Sequence, residues 1–375
     1  MEYCGLYIHI PFCKKKCYYC DFPSYCNLEN LIKPYIAALK KEIQLVSVKY
    51  PDIKIKTIFI GGGTPTYINY KYIIEIIELI KYCFEIKNNA EISIEGNPGT
   101  FDLNKLLEYR KVGINRLSIG LQAWQDNLLK KLGRIHTQKQ FKQAMDNAKV
   151  AGFENINIDL IFGLPEQCIE DWKETLEKVT LLQPTHLSCY SLKIEEETPF
   201  YALYKQGKLQ IDEDLEREMY YYTKKFLNSK GYHHYEISNF AKTDFECIHN
   251  GIYWDVKPYI GLGSSAHSFI NNHRYSNTNT VSRYIKELSE DRLPIKNINK
   301  INQEQLMQEY MFLGMRKIDG VSSKEFNKIF GKDIDFVYWN VLRELQEKGL
   351  IEKGEKIYLT SKGLDFANHV FQSFL

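Results

Sequence analysis

Short apolar runs alternate with amphipathic segments along most of this chain, and that alternation leaves few architectures open to it. Strand-like runs fall at 6–10, 57–60, 90–95, 116–119, 155–160 and 186–192. Helix-period patterns lie between them at 29–49, 69–86, 102–112, 137–151 and 169–182, with a further one at 213–230. Strands separated by helices of this length build βα units on a parallel sheet. Right-handed crossovers then close, or partly close, the sheet into a barrel. In such barrels the loops after the C-terminal ends of the strands carry the chemistry. The expected fold class is therefore α/β, a partial (β/α)6 TIM-like barrel with a small domain behind it.

The loop after the first strand holds three cysteines in the run Pro11-Phe12-Cys13-Lys14-Lys15-Lys16-Cys17-Tyr18-Tyr19-Cys20-Asp21-Phe22. The spacing C-x3-C-x2-C suits a cubane iron–sulfur cluster held by thiolates. Three thiolates leave one iron without a protein ligand, open to a small molecule. A disulfide remnant, part of a zinc site or chance clustering would be plainer readings. The opening Met1-Glu2-Tyr3-Cys4 starts no secretory signal pattern, so a reducing, cytoplasmic setting is expected. Clustered thiols there read as metal-binding or catalytic. Zinc would want a fourth ligand, usually from a paired cysteine or histidine knuckle. His9 alternates with apolar residues and reads as a packed core histidine. Cys4, Cys26, Cys83, Cys168, Cys189 and Cys247 are scattered and read as small apolar side chains.

With 375 residues, the chain is long enough for one large domain and a small one. Its 49 Lys+Arg against 47 Asp+Glu create no field that would draw nucleic acid or an acidic membrane. No apolar stretch approaches the roughly 18–20 residues that span a bilayer, so any membrane contact would be peripheral.

Polar residues recur at the ends of later strands. The second ends in Ile60-Gly61-Gly62-Gly63-Thr64-Pro65-Thr66, where glycines permit close backbone approach and positive φ. Ser93-Ile94-Glu95-Gly96-Asn97-Pro98 sets a carboxylate at the third strand's mouth, and Gln122 follows the fourth. Gly133-Arg134 supplies a guanidinium. Asp159 stands inside an apolar strand, where an ionised group needs partners. Each alone reads more simply as a cap, a turn or a structural partner. Their succession on consecutive strands points to one site.

With the cysteine loop, these segments resemble the radical S-adenosylmethionine (SAM) family over essentially the whole chain. The glycine triplet is similar to that family's GGE-type motif, which holds the methionine amino group, with Thr64 where many members have Glu. The GGGTPT form resembles the branch of the oxygen-independent coproporphyrinogen III dehydrogenases. The resemblance implies a radical-SAM barrel and a [4Fe-4S] cluster on Cys13, Cys17 and Cys20. It also implies SAM contacts from Tyr7, Gly62, Gly63, Thr64, Glu95, Gln122, Arg134 and Asp159. Arg134 would pair with the methionine carboxylate, and the carboxylates would accept from ribose hydroxyls and the amino group.

The dehydrogenases carry a further cysteine, C-x3-C-x2-C-x-C, and a longer N-terminal segment. Here Asp21-Phe22 follow Cys20, and the motif stands near the start. That form resembles the HemW subfamily, haem-binding relatives described as haem chaperones. His249-Asn250-Gly251-Ile252-Tyr253-Trp254 matches the HNxxYW motif of that subfamily. The implied cargo is haem and the implied partners are acceptor apoproteins, with cluster and SAM supporting or gating transfer. Haem iron commonly takes His or Cys, so His249 is the expected ligand, with Cys247 and His267 as local alternatives. Tyr253 and Trp254 would offer flat surfaces to the macrocycle, although an aromatic turn could equally plug a barrel end. Decarboxylation of a porphyrinogen, or radical chemistry on another substrate, are the competing functions.

The C-terminal part changes character. Helical patterns at 303–317, 322–330 and 335–348, then two short strands within 349–360, resemble a winged helix. No basic recognition helix stands out, since Asp333, Asp335, Glu344 and Glu347 lie in or beside the last helix. A cover over the barrel mouth is the expected role. The expected divisions are a barrel over 1–240, a connecting segment over 241–290 and the cover domain over 291–375.

Overall fold

A computed structural model describes residues 3–375. Its centre is a set of six parallel strands paired in the order in which the chain lays them down. These are β1 (Tyr3–Ile10), β2 (Lys54–Gly62), β3 (Glu85–Gly96), β4 (Arg116–Gln122), β5 (Asn155–Phe162) and β6 (His186–Ser191). Helices α1 (Glu29–Lys49), α2 (Tyr70–Cys83), α3 (Leu103–Lys111), the short α4 (Asp126–Lys131), α5 (Gln138–Val150) and α6 (Ile169–Leu181) make the crossovers. The expected partial α/β barrel is the observed one.

Side chains in a strand alternate between two faces, and here the alternation separates apolar from polar. Leu6, Ile8, Ile58, Ile60, Ile92, Ile94, Leu117, Ile119, Ile156 and Ile158 belong to one buried cluster under the helices. The intervening residues, among them Glu91, Ser93, Arg116, Ser118, Asn157, His186 and Ser188, are buried as well. They face the barrel interior, which is therefore polar. The register sets Glu95 beside Ser118, and Asp159 between Gly120 and Ser188.

Antiparallel hairpins extend the sheet on both sides. After α7 (Pro199–Lys205) and α8 (Glu213–Ser229), β7 (His233–Glu236) and β8 (Asn239–Ala241) add to β6. Helix α9 (Ile248–Trp254) precedes β9 (Tyr259–Leu262), which pairs parallel to β1. Strands β10 (His267–Ile270), β11 (His273–Asn277) and β12 (Ile295–Lys300) continue from there, with α10 (Val281–Ser289) before the last. Strands of the 241–290 segment are thus part of the barrel sheet, as is β12 beyond it.

The remaining chain has its own core, including Met307, Met311, Phe326, Leu342 and Ile357. Helices α11 (Gln303–Gly314), α12 (Ser323–Phe330) and α13 (Ile334–Glu347) pack on three strands, β13 (Val321–Ser322), β14 (Ile351–Lys353) and β15 (Lys356–Leu359). Their order, β13-β15-β14, gives the winged-helix-like shape. Two short helices, α14 (Ser361–Asp365) and α15 (Ala367–Gln372), end the chain.

Glu42 of α1 ties the first helix to the sheet extension. It is buried and accepts from Gly263 N at 2.8 Å, Asn277 Nδ2 at 2.6 Å and Tyr284 Oη at 2.5 Å. Burial pushes its carboxyl up to about 7, against the pull of those three donors. In the unfolded chain a glutamate titrates near about 4.3. Between those values the folded state holds the extra proton, so this group's contribution to stability falls as pH rises towards 7. Glu42→Gln removes the titration. The stability difference between wild type and variant, from urea unfolding, is expected to shift against the wild type between pH 5 and pH 8. A constant difference would contradict this account of Glu42.

Candidate functional site

The cysteine loop is shaped by backbone bonds. Tyr25 N donates to Pro11 O at 2.7 Å, Cys13 N to Tyr25 O at 2.9 Å and Tyr18 N to Leu132 O at 3.0 Å. Thus held, Cys13, Cys17 and Cys20 line a cavity of about 860 Å³ at the C-terminal ends of the barrel strands. Gly62, Gly63, Thr64, Glu95, Gln122, Arg134 and Asp159 line the same space. Seven of the eight residues expected to contact SAM therefore converge with all three cysteines.

Two glycines make the approach possible. A Cβ on Gly63 would come within 3.0 Å of Cys13 Sγ and 2.8 Å of Phe12 O. Gly62 has φ +114°, where L side chains are strained. Gln122 takes φ +74°, a left-handed conformation rare for a non-glycine residue and frequent at working sites.

A chain of polar contacts links two of the cysteines. Thr64 Oγ1 lies 3.6 Å from Cys13 Sγ and accepts from Asn97 Nδ2 at 2.9 Å. Asn97 Oδ1 accepts from Arg134 Nη2 at 2.5 Å, and Arg134 Nη1 donates to Cys17 Sγ at 3.6 Å. Arg134 also donates to Gly120 O. Its cation thus sits beside the thiols, held by Asn97. Sequence reading passed over Asn97, whose only signal was its place in the Gly-Asn-Pro turn after β3.

Glu95 and Asp159 occupy the inner wall. Glu95 accepts from Gly62 N at 3.2 Å; burial, with Asp159 nearby, pushes its carboxyl up to about 8. Burial also raises Asp159, against hydrogen bonds from Asn157 Nδ2 at 2.8 Å and Ser118 Oγ at 3.0 Å. Two buried carboxyls with spare acceptor capacity suit a ligand that brings hydroxyl or ammonium donors.

The donor set fits the groups that the sequence implied. Among the described residues, no three His, Cys, Asp or Glu side chains converge on a single-ion position. Cys13, Cys17 and Cys20 all line one cavity, and thiolates are the ligands that an iron–sulfur cluster takes.

Four expected residues lie elsewhere. Tyr7 is outside the cavity wall; its Oη is 3.0 Å from His9 Nδ1, and His9 Nε2 is 2.8 Å from Pro23 O. It braces the cysteine loop from beneath. His249, the expected haem ligand, is only 1% exposed. Its Nδ1 is 2.7 Å from Thr57 Oγ1 and its Nε2 is 2.8 Å from Tyr253 Oη, so neither nitrogen is free for iron. Cys247 is buried against Glu91 at 3.7 Å, and His267 lies on β10, outside the cavity wall. The HNxxYW segment is α9, a plug in the barrel interior. Glu91 caps it by accepting from Ile248 N at 3.1 Å and His249 N at 3.0 Å. Glu91 precedes Glu95 by four residues on β3, about 13 Å along the strand.

Residues 7–179 match the model of the radical SAM superfamily, and residues 301–366 match that of the HemN C-terminal domain. Heme chaperone HemW of Bacillus subtilis (strain 168) is 38% identical over 372 residues, covering 98% of each chain. The chain belongs to the HemW family. Its member from Lactococcus lactis (strain IL1403), also a heme chaperone, is 36% identical and covers 98% of this chain and 96% of its own. Among solved structures, coproporphyrinogen III oxidase (HemN) of Escherichia coli, a radical SAM enzyme, superimposes with a TM-score of 0.87 at 25% identity. That alignment covers 100% of this chain and 90% of the other. The HemW family assignment agrees with Phe22 standing where the dehydrogenases carry their additional cysteine.

Proposed function

We propose that this chain is a haem chaperone, which binds haem and passes it to acceptor apoproteins. In this reading Cys13, Cys17 and Cys20 hold a [4Fe-4S] cluster, and SAM occupies the same cavity at the open iron. The observation that carries it is the 38% identity to a heme chaperone across 98% of both chains. The convergence of three thiols, the glycine turn and two buried carboxyls on one cavity supports the cofactor assignment.

When bound, such a cluster with SAM supplies one-electron chemistry that the side chains lack. The residues themselves bind and orient. Arg134 Nη1 donates to Cys17 Sγ and Thr64 Oγ1 lies beside Cys13 Sγ, so each sets a polar group against a thiol. Glu95 and Asp159 accept from hydroxyl or ammonium groups, and Gly62 and Gly63 let the ligand approach the backbone. Leu364, Phe366, Ala367, Asn368, His369 and Phe371 of the C-terminal domain line the outer part of the cavity. A cytoplasmic location and acceptors that are proteins, not nucleic acid, belong to the same reading. No helix among the described residues is long and apolar enough to cross a membrane.

An anaerobic titration of the reconstituted protein with haemin, beside a coproporphyrinogen decarboxylation assay, tests the proposal. The expected result is saturable uptake of about one haem per chain without decarboxylation. Decarboxylation with SAM consumption, and only non-saturable haem uptake, would make the chain a dehydrogenase instead.

A further inference from the structure

We infer that haem binds at the outer mouth of the cavity, under the C-terminal domain, with His369 as an axial ligand to its iron. This rests on the haem-binding reading above and gives that reading a site.

Elimination among the histidines comes first. The chain has nine, and only His369 lines the cavity. His9, His186 and His249 each have both ring nitrogens engaged in hydrogen bonds. His136 is buried, with Nε2 3.2 Å from Leu121 O, and His234 Nε2 is 3.1 Å from Ile237 O. His233, His267 and His273 lie on strands away from the cavity wall.

The outer wall also has the chemistry of a porphyrin site, whereas the inner wall does not. Inside are the three cysteines and the buried carboxyls Glu95 and Asp159. Towards solvent, Phe22 is 62% exposed and Phe366 55%, both lining the one cavity. Two solvent-facing aromatic rings on a pocket present the apolar surface that a flat macrocycle would cover. Lys193 and Arg316 bring cations that could pair with the two propionates of haem, alongside the carboxylates Glu195, Glu216 and Asp365 that line the same cavity. Arg316 is held in place, its guanidinium 4.5 Å over the Trp254 ring, and its Nε has no hydrogen-bond partner among the described residues.

His369 is brought to this wall by a latch. Asp365, four residues earlier, forms an ion pair with Arg217, whose Nη1 is 3.0 Å from Oδ1, and accepts a hydrogen bond from Tyr221 Oη at 2.5 Å; both partners are on α8. Backbone bonds fix the junction nearby: Ile237 N donates to Arg316 O and Ile318 N to Tyr235 O, each at 3.1 Å. The C-terminal domain therefore contributes a ligand as well as a cover.

The test is haemin binding by wild type and His369→Ala, followed by difference absorbance and electron paramagnetic resonance. His369 is exposed, so its removal leaves the fold intact. Losing even a hydrogen-bond partner of a metal ligand costs about 10–100-fold in affinity, so losing the ligand should weaken binding at least about tenfold. The histidine-ligated signature should vanish and return on addition of imidazole. If His369→Ala binds haemin with unchanged affinity and spectrum, the ligand assignment is overturned while haem binding stands. If the wild type itself shows no saturable binding, the chaperone reading falls, and this inference with it.

Discussion

Replacing Cys13, Cys17 and Cys20 together by alanine is expected to abolish stoichiometric iron and sulfide uptake on anaerobic reconstitution, while the fold persists. The first half follows from ligand count, since thiolates hold the irons of such a cluster and the loop offers these three in one wall. The second half follows from how the loop is built. Its shape depends on backbone bonds from Tyr25 to Pro11, Cys13 to Tyr25 and Tyr18 to Leu132, none of which needs a sulfur. Arg134 loses its contact with Cys17 but keeps Asn97 and Gly120; Thr64 loses Cys13 but keeps Asn97. Cys17 and Cys20 are partly exposed and Cys13 is buried, and trimming one sulfur removes little apolar area, on the order of 1 kcal/mol per site. Iron and sulfide analysis with visible absorbance reads the first effect, and far-ultraviolet circular dichroism the second. Undiminished iron and sulfide in the triple variant would show that the cluster lies elsewhere.

His249→Ala should behave in the opposite way, with a large loss of stability and retained haem binding. The imidazole bridges Thr57 and Tyr253 and stacks on Phe59 at a centroid distance of 5.2 Å. Its removal strands two buried hydroxyls, at roughly 1 kcal/mol or more each. It also leaves a cavity in a fully packed interior, which adds on the order of 1–2 kcal/mol. A total of about 3 kcal/mol is expected, read as a lowered urea midpoint at unchanged slope. Saturable haemin uptake should survive below that midpoint. A variant of wild-type stability that no longer takes up haemin would reinstate His249 as the ligand.

How far the sequence could be read is clearest along β3 to β5. Apolar residues at Ile92, Ile94, Leu117, Ile119, Ile156 and Ile158 alternate with polar ones at Ser93, Ser118 and Asn157. That two-residue period marks strands with one face under helices and the other in a polar interior. Helix α1 spans the expected 29–49 without adjustment, its long amphipathic period leaving no ambiguity. The cysteine spacing and the strand-end glycines likewise announced the cavity, because loops after parallel strands gather at one end of a barrel.

Tyr7, the HNxxYW segment and the cavity's outer wall were not legible in this way. Which side of β1 meets the ligand depends on where the cysteine loop folds back, and Tyr7 turned out to brace that loop through His9. His249 is defined by Thr57, 192 residues away, and its backbone N–H by Glu91, 158 residues away. His369 reaches the cavity only because Asp365 meets Arg217 and Tyr221 of α8. Hydrophobic period and turn chemistry are local properties, so a linear chain displays them directly. Partners chosen by closing a barrel are set by register and crossover geometry, and the same motif can present a ligand or plug an interior until those contacts exist.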